Sequence, residues 1–417
     1  MSSAIVTRVS LVFERGMLLK KQILLVTKLG IGQTIAYAST FYITGVLANP
    51  ISNEIGISVS EFFSYLVVAV LGSAALAPVV GSFIDRLGGR RVLPLSNLVI
   101  IAALLVMASA NTPVLLLLAW LIMGVGMSMG LYDAAFASVV ALCGNNSRMV
   151  IAGITLFAGF ASTISWPTTS FFATEYSWQT ALVFWAAIHL FIALPLHISI
   201  PSIENPQPRT KIRGVVKLSP MVVVFIVMFG AQSYSIGGMG STLPLMIEAS
   251  GLTTTAAVAA AALMGPAQVS ARLLQVLFPN TFKPTIVAAV AFLGHPVGIV
   301  GLLYFGSEAV WFFVLLSGLS MGLFTVAGGT LPLVYFGPKG YGQRQGILRI
   351  FPLLIGSVAP VMIATTLAIS LQLTLSVNLV MGAISLICLA WLLRQPQLGS
   401  EEQIETVEAA EEPEARQ

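Results

Sequence analysis

Long apolar runs and short polar turns follow one another along this chain, and within the runs apolar residues are continuous rather than alternating. A strand-based barrel would show short alternating segments with a polar lumen face. Uninterrupted apolar stretches of ~20 residues are what helices need to cross a bilayer. Counting them predicts twelve membrane helices, near 22–48, 60–83, 92–110, 114–142, 149–172, 179–199, 220–247, 254–278, 284–305, 309–335, 345–369 and 374–393. The expected fold class is an all-α membrane protein. The segments set out a cytoplasmic N-terminus over 1–21, a six-helix bundle over 22–199, a linker over 200–219, a second six-helix bundle over 220–393 and an acidic disordered tail over 394–417.

The turns orient these helices. Those with Glu54, Glu61, Glu175, Glu248 and Glu308 contain no Lys or Arg, whereas the opposite turns hold Arg86, Arg90, Arg91, Arg148, Arg209, Lys211, Arg213, Lys217, Lys283, Lys339 and Arg344. By the positive-inside rule the basic turns and both termini are cytoplasmic, as in a bacterial inner-membrane protein. The start, "MSSAIVTRVSLVFERGMLLKKQ", has scattered charges and no small-residue cleavage site, so it reads as a cytoplasmic segment rather than a signal peptide.

Composition sharpens this picture. The chain is 57% hydrophobic and 9% charged, with mean hydropathy +0.94, where a soluble domain carries about 25% charged residues. The net charge of +4 conceals an asymmetry: the tail from Ser400 holds seven glutamates and one arginine, leaving 19 basic and 9 acidic residues elsewhere. The basic residues are spread over short loops, which is not a nucleic-acid signature, and the tail reads as solvated. Cys143 and Cys388 show no metal or redox spacing. With no nucleotide-binding loop, paired metal ligands or nucleophile–base arrangement, neither an enzyme nor a cofactor- or metal-binding protein is expected.

An internal repeat frames the candidate chemistry. "GMSMGLYD" (Gly126–Asp133, helix 4) matches "GLSMGLFT" (Gly318–Thr325, helix 10) at Gly, Ser, Met, Gly and Leu, at an offset of one six-helix half. Both segments run in the same direction, so the halves are parallel repeats, with substrate expected near the midplane. Gly126 with Gly130, and Gly318 with Gly322, have the four-residue spacing that lets helix backbones approach closely. Packing explains the glycines but not Asp133, one of only two aspartates in the chain, which stands where the other half has Thr325.

The helix 2–3 turn "GSFIDRLGGRR" then brings in a family. Its Gly81, Asp85, Arg86, Gly88, Arg90 and Arg91 resemble the signature of the major facilitator superfamily, in which this turn forms a charge cluster that latches the two halves. The equivalent turn of the second half, "LFPNTFKP", lacks the pattern, so any latch is asymmetric. "GLYDAAFA" in helix 4, "TLFAGFASTISWP" in helix 5 and an arginine deep in helix 8 resemble bacterial members of the monocarboxylate-porter and oxalate–formate exchanger-like group. The resemblance implies a monomeric transporter of two parallel six-helix bundles. Two departures weigh against lactate-type proton coupling: Gln268 precedes Arg272 where those carriers often have an acid, and helix 1 offers Tyr37, Phe41 and Tyr42 where they have a lysine. Helix 4 lacks the arginine of typical proton/drug antiporters.

Intramembrane charge costs about 2.5–3.5 kcal/mol at a helix centre and is functional by default. Arg272 lies about 9 Å inside helix 8 at 1.5 Å per residue, placed to bind a substrate carboxylate with its bidentate fork; the structural alternative is an ion pair. Arg349, one turn inside helix 11, is a second anion contact or an interfacial arginine. Asp133 is a proton carrier if desolvated or a gate if paired. Tyr37, Tyr42, Gln232, Tyr234 and Gln268 are candidate hydrogen-bonding groups of a cavity. Lys28 snorkels, and His189, His197 and His295 are core or interface histidines. Trp166-Pro167 and Gly265-Pro266 break or bend helices 5 and 8. The expected function is a secondary transporter working by alternating access on a small organic anion such as a carboxylate, by proton coupling or exchange. The alternatives are an efflux carrier for a small drug or metalloid and a non-transporting membrane sensor.

Overall fold

A computed structural model describes residues 22–143, 147–202, 219–277, 283–336 and 341–396. The expected N-terminal segment and most of the acidic tail and of the linker therefore lie outside the described residues.

Among the described residues the helices form twelve rods. In chain order these are α1 (22–55, with a π-helical turn at Ala38–Tyr42), α2 (Val59–Leu87), α3 (Gly89–Ala108) and α4 (Pro113–Gly130, continued by Tyr132–Cys143). Next come α5 (Ser147–Ala158 and Ala161–Glu175) and α6 (Trp178–Ile188, a π-helical turn at His189–Ala193, then Leu194–Ile198). The second set is α7 (Pro220–Glu248), α8 (Thr254–Ala262 and Met264–Leu277), α9 (Pro284–Phe305), α10 (Val310–Phe336), α11 (Tyr341–Ile369) and α12 (Leu371–Leu392). Ten stretches are long and apolar enough to cross a membrane, and one of them, Pro284–Phe336, contains both α9 and α10 around Gly306. The π-helical turn interrupts α1, which is not among the ten.

Local chemistry sets the rod ends. Thr112, Ser177, Ser219, Thr253 and Ser370 each accept a hydrogen bond from the backbone N–H three residues on, which satisfies one of the donors a helix start leaves open. Pro113 and Pro220 occupy the first helical position, where a missing N–H costs nothing. The α2–α3 turn needs Gly88, whose φ of 76° is left-handed.

Three breaks lie inside rods. In α8 the helix stops at Leu263, just ahead of Pro266, whose ring displaces the carbonyl four residues back. In α5 the break falls at Gly159–Phe160, while Pro167 sits inside the continuous helix Ala161–Glu175. Of the expected break or bend at Trp166-Pro167, the break does not occur; the helix is interrupted at Gly159–Phe160 instead. In α4 the helix breaks at Leu131, with φ −84° and ψ −171°, inside the repeat. The matching stretch of α10 is unbroken.

The chain divides into two compact units. One contains α1 up to Ile43, residues 49–57 and the chain from Val68 through α6; the other contains Thr44–Ala48, Ser58–Val67 and α7 through α12. In the first, a buried polar seam crosses the rods. Ser39 Oγ lies 2.7 Å from His189 Nε2, His189 Nδ1 lies 2.9 Å from Asn97 Oδ1, and Asn97 Nδ2 lies 2.7 Å from His197 Nδ1. Asn97 Nδ2 also donates to the Leu93 carbonyl at 2.8 Å, which fixes the amide's orientation. His189 must then carry its hydrogen on Nδ1, and His197 accepts on Nδ1. The π-helical turns of α1 and α6 contain Ser39 and His189, the two residues that meet at one end of this seam.

The second unit is tied by Gln232 of α7. Its Nε2 donates to the Ala291 carbonyl of α9 and to Ser320 Oγ of α10, both at 3.3 Å, and its Oε1 accepts from Ser385 of α12 at 3.4 Å. Gln232 is therefore spent on packing rather than on lining a cavity. His295 of α9 bonds Ser317 at 3.0 Å and faces Asn378 of α12. A histidine–asparagine pair thus joins α3 to α6 in one unit, and in the other a histidine of α9 faces an asparagine of α12. Around Gln232, Phe229, Phe292 and Phe324 pack with ring centroids 5.6–6.0 Å apart, the spacing aromatic pairs favour.

Candidate functional site

In the first unit the chemistry gathers at the α4 break. The break removes the intrahelical partner of the Gly130 carbonyl, and Gln33 Nε2 of α1 donates to it instead at 2.6 Å. One turn further along α1, Tyr37 meets the backbone of Tyr132, the first residue of the new helical segment. Gln33 and Tyr37 stand at i and i+4, on one face of α1, so a single helix face brackets the break. An unsatisfied backbone group at membrane depth costs several kcal/mol, and broken helices persist there only where such groups find partners.

Asp133 falls in the first turn of the segment that restarts at Tyr132, where the N-terminal end of the helix dipole favours a carboxylate. It is exposed on this unit, beside a half-buried Tyr132, and Tyr37 lies within its electrostatic reach. Tyr37, Tyr132 and Phe136 form a continuous aromatic wall, with ring centroids 4.7 and 4.8 Å apart. Tyr42 is buried deeper: its ring meets Trp166 edge-on at 5.5 Å, and its carbonyl accepts from Trp166 Nε1 at 2.9 Å.

In the second unit Arg272 sits on α8 with 9% of its surface exposed, the one charged side chain in the buried set of the described residues. Gln268, one turn earlier, is also buried, and its Nε2 has no hydrogen-bond partner among the described residues. The Tyr234 hydroxyl on α7 is likewise buried and without one. Buried polar atoms left unpaired are costly and mark sites where a ligand can supply the partner. The Arg349 side chain lies outside the described residues.

The glycines of the repeat set helix spacing. A Cβ on Gly126 would stand 2.6 Å from Ile100 Cγ1, and one on Gly130 2.7 Å from Ser96 Oγ, so α4 presses on α3. A Cβ on Gly318 would stand 2.7 Å from the Met264 carbonyl, and one on Gly322 2.5 Å from the Gln268 carbonyl, so α10 presses on α8 at the level of Gln268. The repeat thus serves different neighbours in the two units. Of the signature turn, Arg86, Arg90 and Arg91 are exposed, and a Cβ on Gly81 would meet nothing within 4 Å. The side chains of Asp85 and Arg148 lie outside the described residues.

Sequence reasoning missed Gln33 and Asn97. The available signal was an amide in an otherwise apolar stretch: Gln33 precedes Tyr37 by one turn, and Asn97 stands among leucines and valines.

Solved structures resemble this architecture. The nucleoside transporter NupG aligns with a TM-score of 0.70 at 12% identity, over 90% of this chain and 100% of its own. A bacterial homologue of the human lysosomal transporter Spinster, in an inward-facing and occupied conformation, aligns with a TM-score of 0.66 at 12% identity, over 88% of this chain and 94% of its own. At that identity the likeness speaks for the fold alone. A search of curated proteins finds no match. The family model described as Major Facilitator Superfamily matches residues 29–360, most of the chain. This multi-pass, all-α membrane protein, a secondary transporter rather than an enzyme, belongs to the Major Facilitator Superfamily.

Proposed function

We propose that this transporter carries a small organic anion, a mono- or dicarboxylate, and that Arg272 binds it. The observation that supports this is a guanidinium buried on α8 one turn from an amide with an unused N–H. A carboxylate matches the guanidinium fork with two parallel hydrogen bonds. Gln268 donates a further bond, Tyr234 offers its hydroxyl, and Arg349 is a second cation for a dicarboxylate.

Asp133 is the coupling group. Its carboxylate stands at a helix restart beside Tyr37, with Tyr42 further along α1, so protonation there changes the charge at the break. Gly81, Asp85, Arg86, Gly88, Arg90 and Arg91 act as the conformational latch at the cytoplasmic face of a bacterial inner membrane. The likeness to monocarboxylate-porter and oxalate–formate exchanger-like proteins fits this substrate class. The exposed Asp133 favours one second reading, efflux of a small cationic or metalloid toxicant, with Asp133 as its site.

Proteoliposomes test the anion reading. Charge movement and labelled-substrate counterflow are recorded with mono- and dicarboxylates, and with nucleosides because NupG is a nucleoside transporter. The wild type is compared with Arg272→Lys and Asp133→Asn, with and without a pH step. The expected result is a carboxylate signal lost in Arg272→Lys, with its pH dependence lost in Asp133→Asn. No carboxylate signal by either readout removes the anion reading, and a nucleoside signal replaces it.

A further inference from the structure

A cavity of about 400 Å³ lies within the first unit, away from Asp133, between α1, α5 and α6. Its floor is Ile35, Ala38 and Trp185, all buried, and its rim is Phe160, Ile164 and Ile192, each 39–47% exposed. The crevice therefore opens sideways, and its mouth is hydrocarbon. Its two hydroxyls belong to Thr34, which bonds the Gly30 carbonyl of its own helix at 2.9 Å, and to Thr168. Nothing in such a lining recognises a polar solute, and in a membrane protein the medium at an apolar mouth is lipid chain.

One charge marks an end of this crevice. On α1 the lining runs from Ile31 to Ala38, and Lys28 stands one turn before Ile31. Lys28 Nζ donates to the Ser199 carbonyl just past the end of α6, at 2.8 Å, so the ammonium bridges two of the helices that line the crevice. On α6 the lining runs from Phe184 to Ile192, so the end of the crevice beyond Ile31 and Ile192 is the end that Lys28 closes. An ammonium has three donors, and one bond to a carbonyl leaves the others for a phosphate oxygen.

We infer that this crevice holds an acyl chain of an anionic phospholipid, with the chain between α5 and α6 on the floor of α1 and the head-group phosphate at Lys28. The ligand class follows from the pairing of an apolar slot with a cation, Lys28, at its end; a zwitterionic lipid would fill the slot without a net charge for Lys28 to meet. The site is separate from Arg272 and Asp133, and it stands whether or not a carboxylate is the transported solute.

Trp185 in the floor reports on the occupant. The full-length protein is reconstituted in bilayers containing increasing fractions of lipid brominated on its acyl chains, with either phosphatidylglycerol or phosphatidylcholine head groups. Tryptophan quenching is read for the wild type and for Trp185→Phe, and the difference isolates the Trp185 signal. Half-quenching is expected at about a fivefold lower fraction of the anionic lipid, the weight of one basic residue beside an anionic surface, with this preference lost in Lys28→Gln. Equal fractions for the two head groups in the wild type overturn the inference. So does a preference that survives Lys28→Gln, or a Trp185 signal that neither lipid quenches.

Discussion

Replacing Asn97 with leucine tests the buried seam of the first unit. Leucine has the same number and branching of side-chain heavy atoms as asparagine, so the substitution leaves no cavity and removes the polar contacts, at the cost of fitting a somewhat bulkier side chain. Three contacts go: 2.9 Å to His189 Nδ1, 2.7 Å to His197 Nδ1 and 2.8 Å to the Leu93 carbonyl. The first two join different helices, and interhelical hydrogen bonds in membrane proteins contribute about 0.6 kcal/mol on average and up to about 1.7. The His189 N–H loses its acceptor while fully buried, which costs a further 1–3 kcal/mol, roughly. Asn97→Leu should therefore destabilise the protein by about 2–4 kcal/mol. The assay is unfolding in mixed micelles by a denaturing detergent, followed by intrinsic fluorescence. A cycle with His189→Leu adds a second number. Once the histidine is gone there is no orphaned N–H, so the double variant should be less destabilised than the two singles together, by about 1–2 kcal/mol. A shift below about 0.5 kcal/mol for Asn97→Leu, or strict additivity in the cycle, would refute the seam as a stabilising network.

Further predictions concern the break and the glycine contacts. Gln33→Leu leaves the Gly130 carbonyl without its 2.6 Å donor and should cost about 1–2 kcal/mol by the same unfolding assay; in counterflow it should reduce transport more than Thr325→Val, because α10 is unbroken. Gly322→Ala pushes a methyl against the Gln268 backbone, where the relevant atoms stand at 2.5 and 3.0 Å, and should cost about 1–3 kcal/mol. Gly126→Ala meets chiefly the Ile100 side chain, with the nearest backbone atom at 3.3 Å, and should cost less; the reverse order in thermal unfolding contradicts the packing described. Trp166→Phe deletes the 2.9 Å bond to the Tyr42 carbonyl and should lower stability by about 1 kcal/mol.

The placement of Asp133 shows where sequence and structure part. Its segment, its helix and its asymmetry with Thr325 are legible from the repeat. That helix 4 stops and restarts two residues before it is not, because "GMSMGLYD" contains no proline and its partner "GLSMGLFT" runs straight through α10. The break depends on Gln33 and Tyr37, which are distant in sequence and reach it only after α1 packs on α4. Helix 5 differs in another way: the sequence points to Pro167, which stays inside the helix, and the interruption falls at Gly159–Phe160. A proline removes one donor, and whether its helix breaks depends on what the neighbours offer the freed carbonyl.

The sequence by itself determined the helical membrane-spanning class, the close helix contacts at the repeated glycines and the superfamily. Each of these follows from local quantities: apolar run length against bilayer thickness, residue size at a contact, and a short signature in a turn. The tertiary structure decided which polar side chains are spent on packing and which keep an unused hydrogen-bonding group. Gln232 and Gln268 are both amides in apolar helices. One is consumed by α9, α10 and α12, and the other keeps an unused N–H one turn from Arg272. That difference is set by what each side chain faces across a helix–helix contact, and spacing along a single helix carries no record of its neighbour.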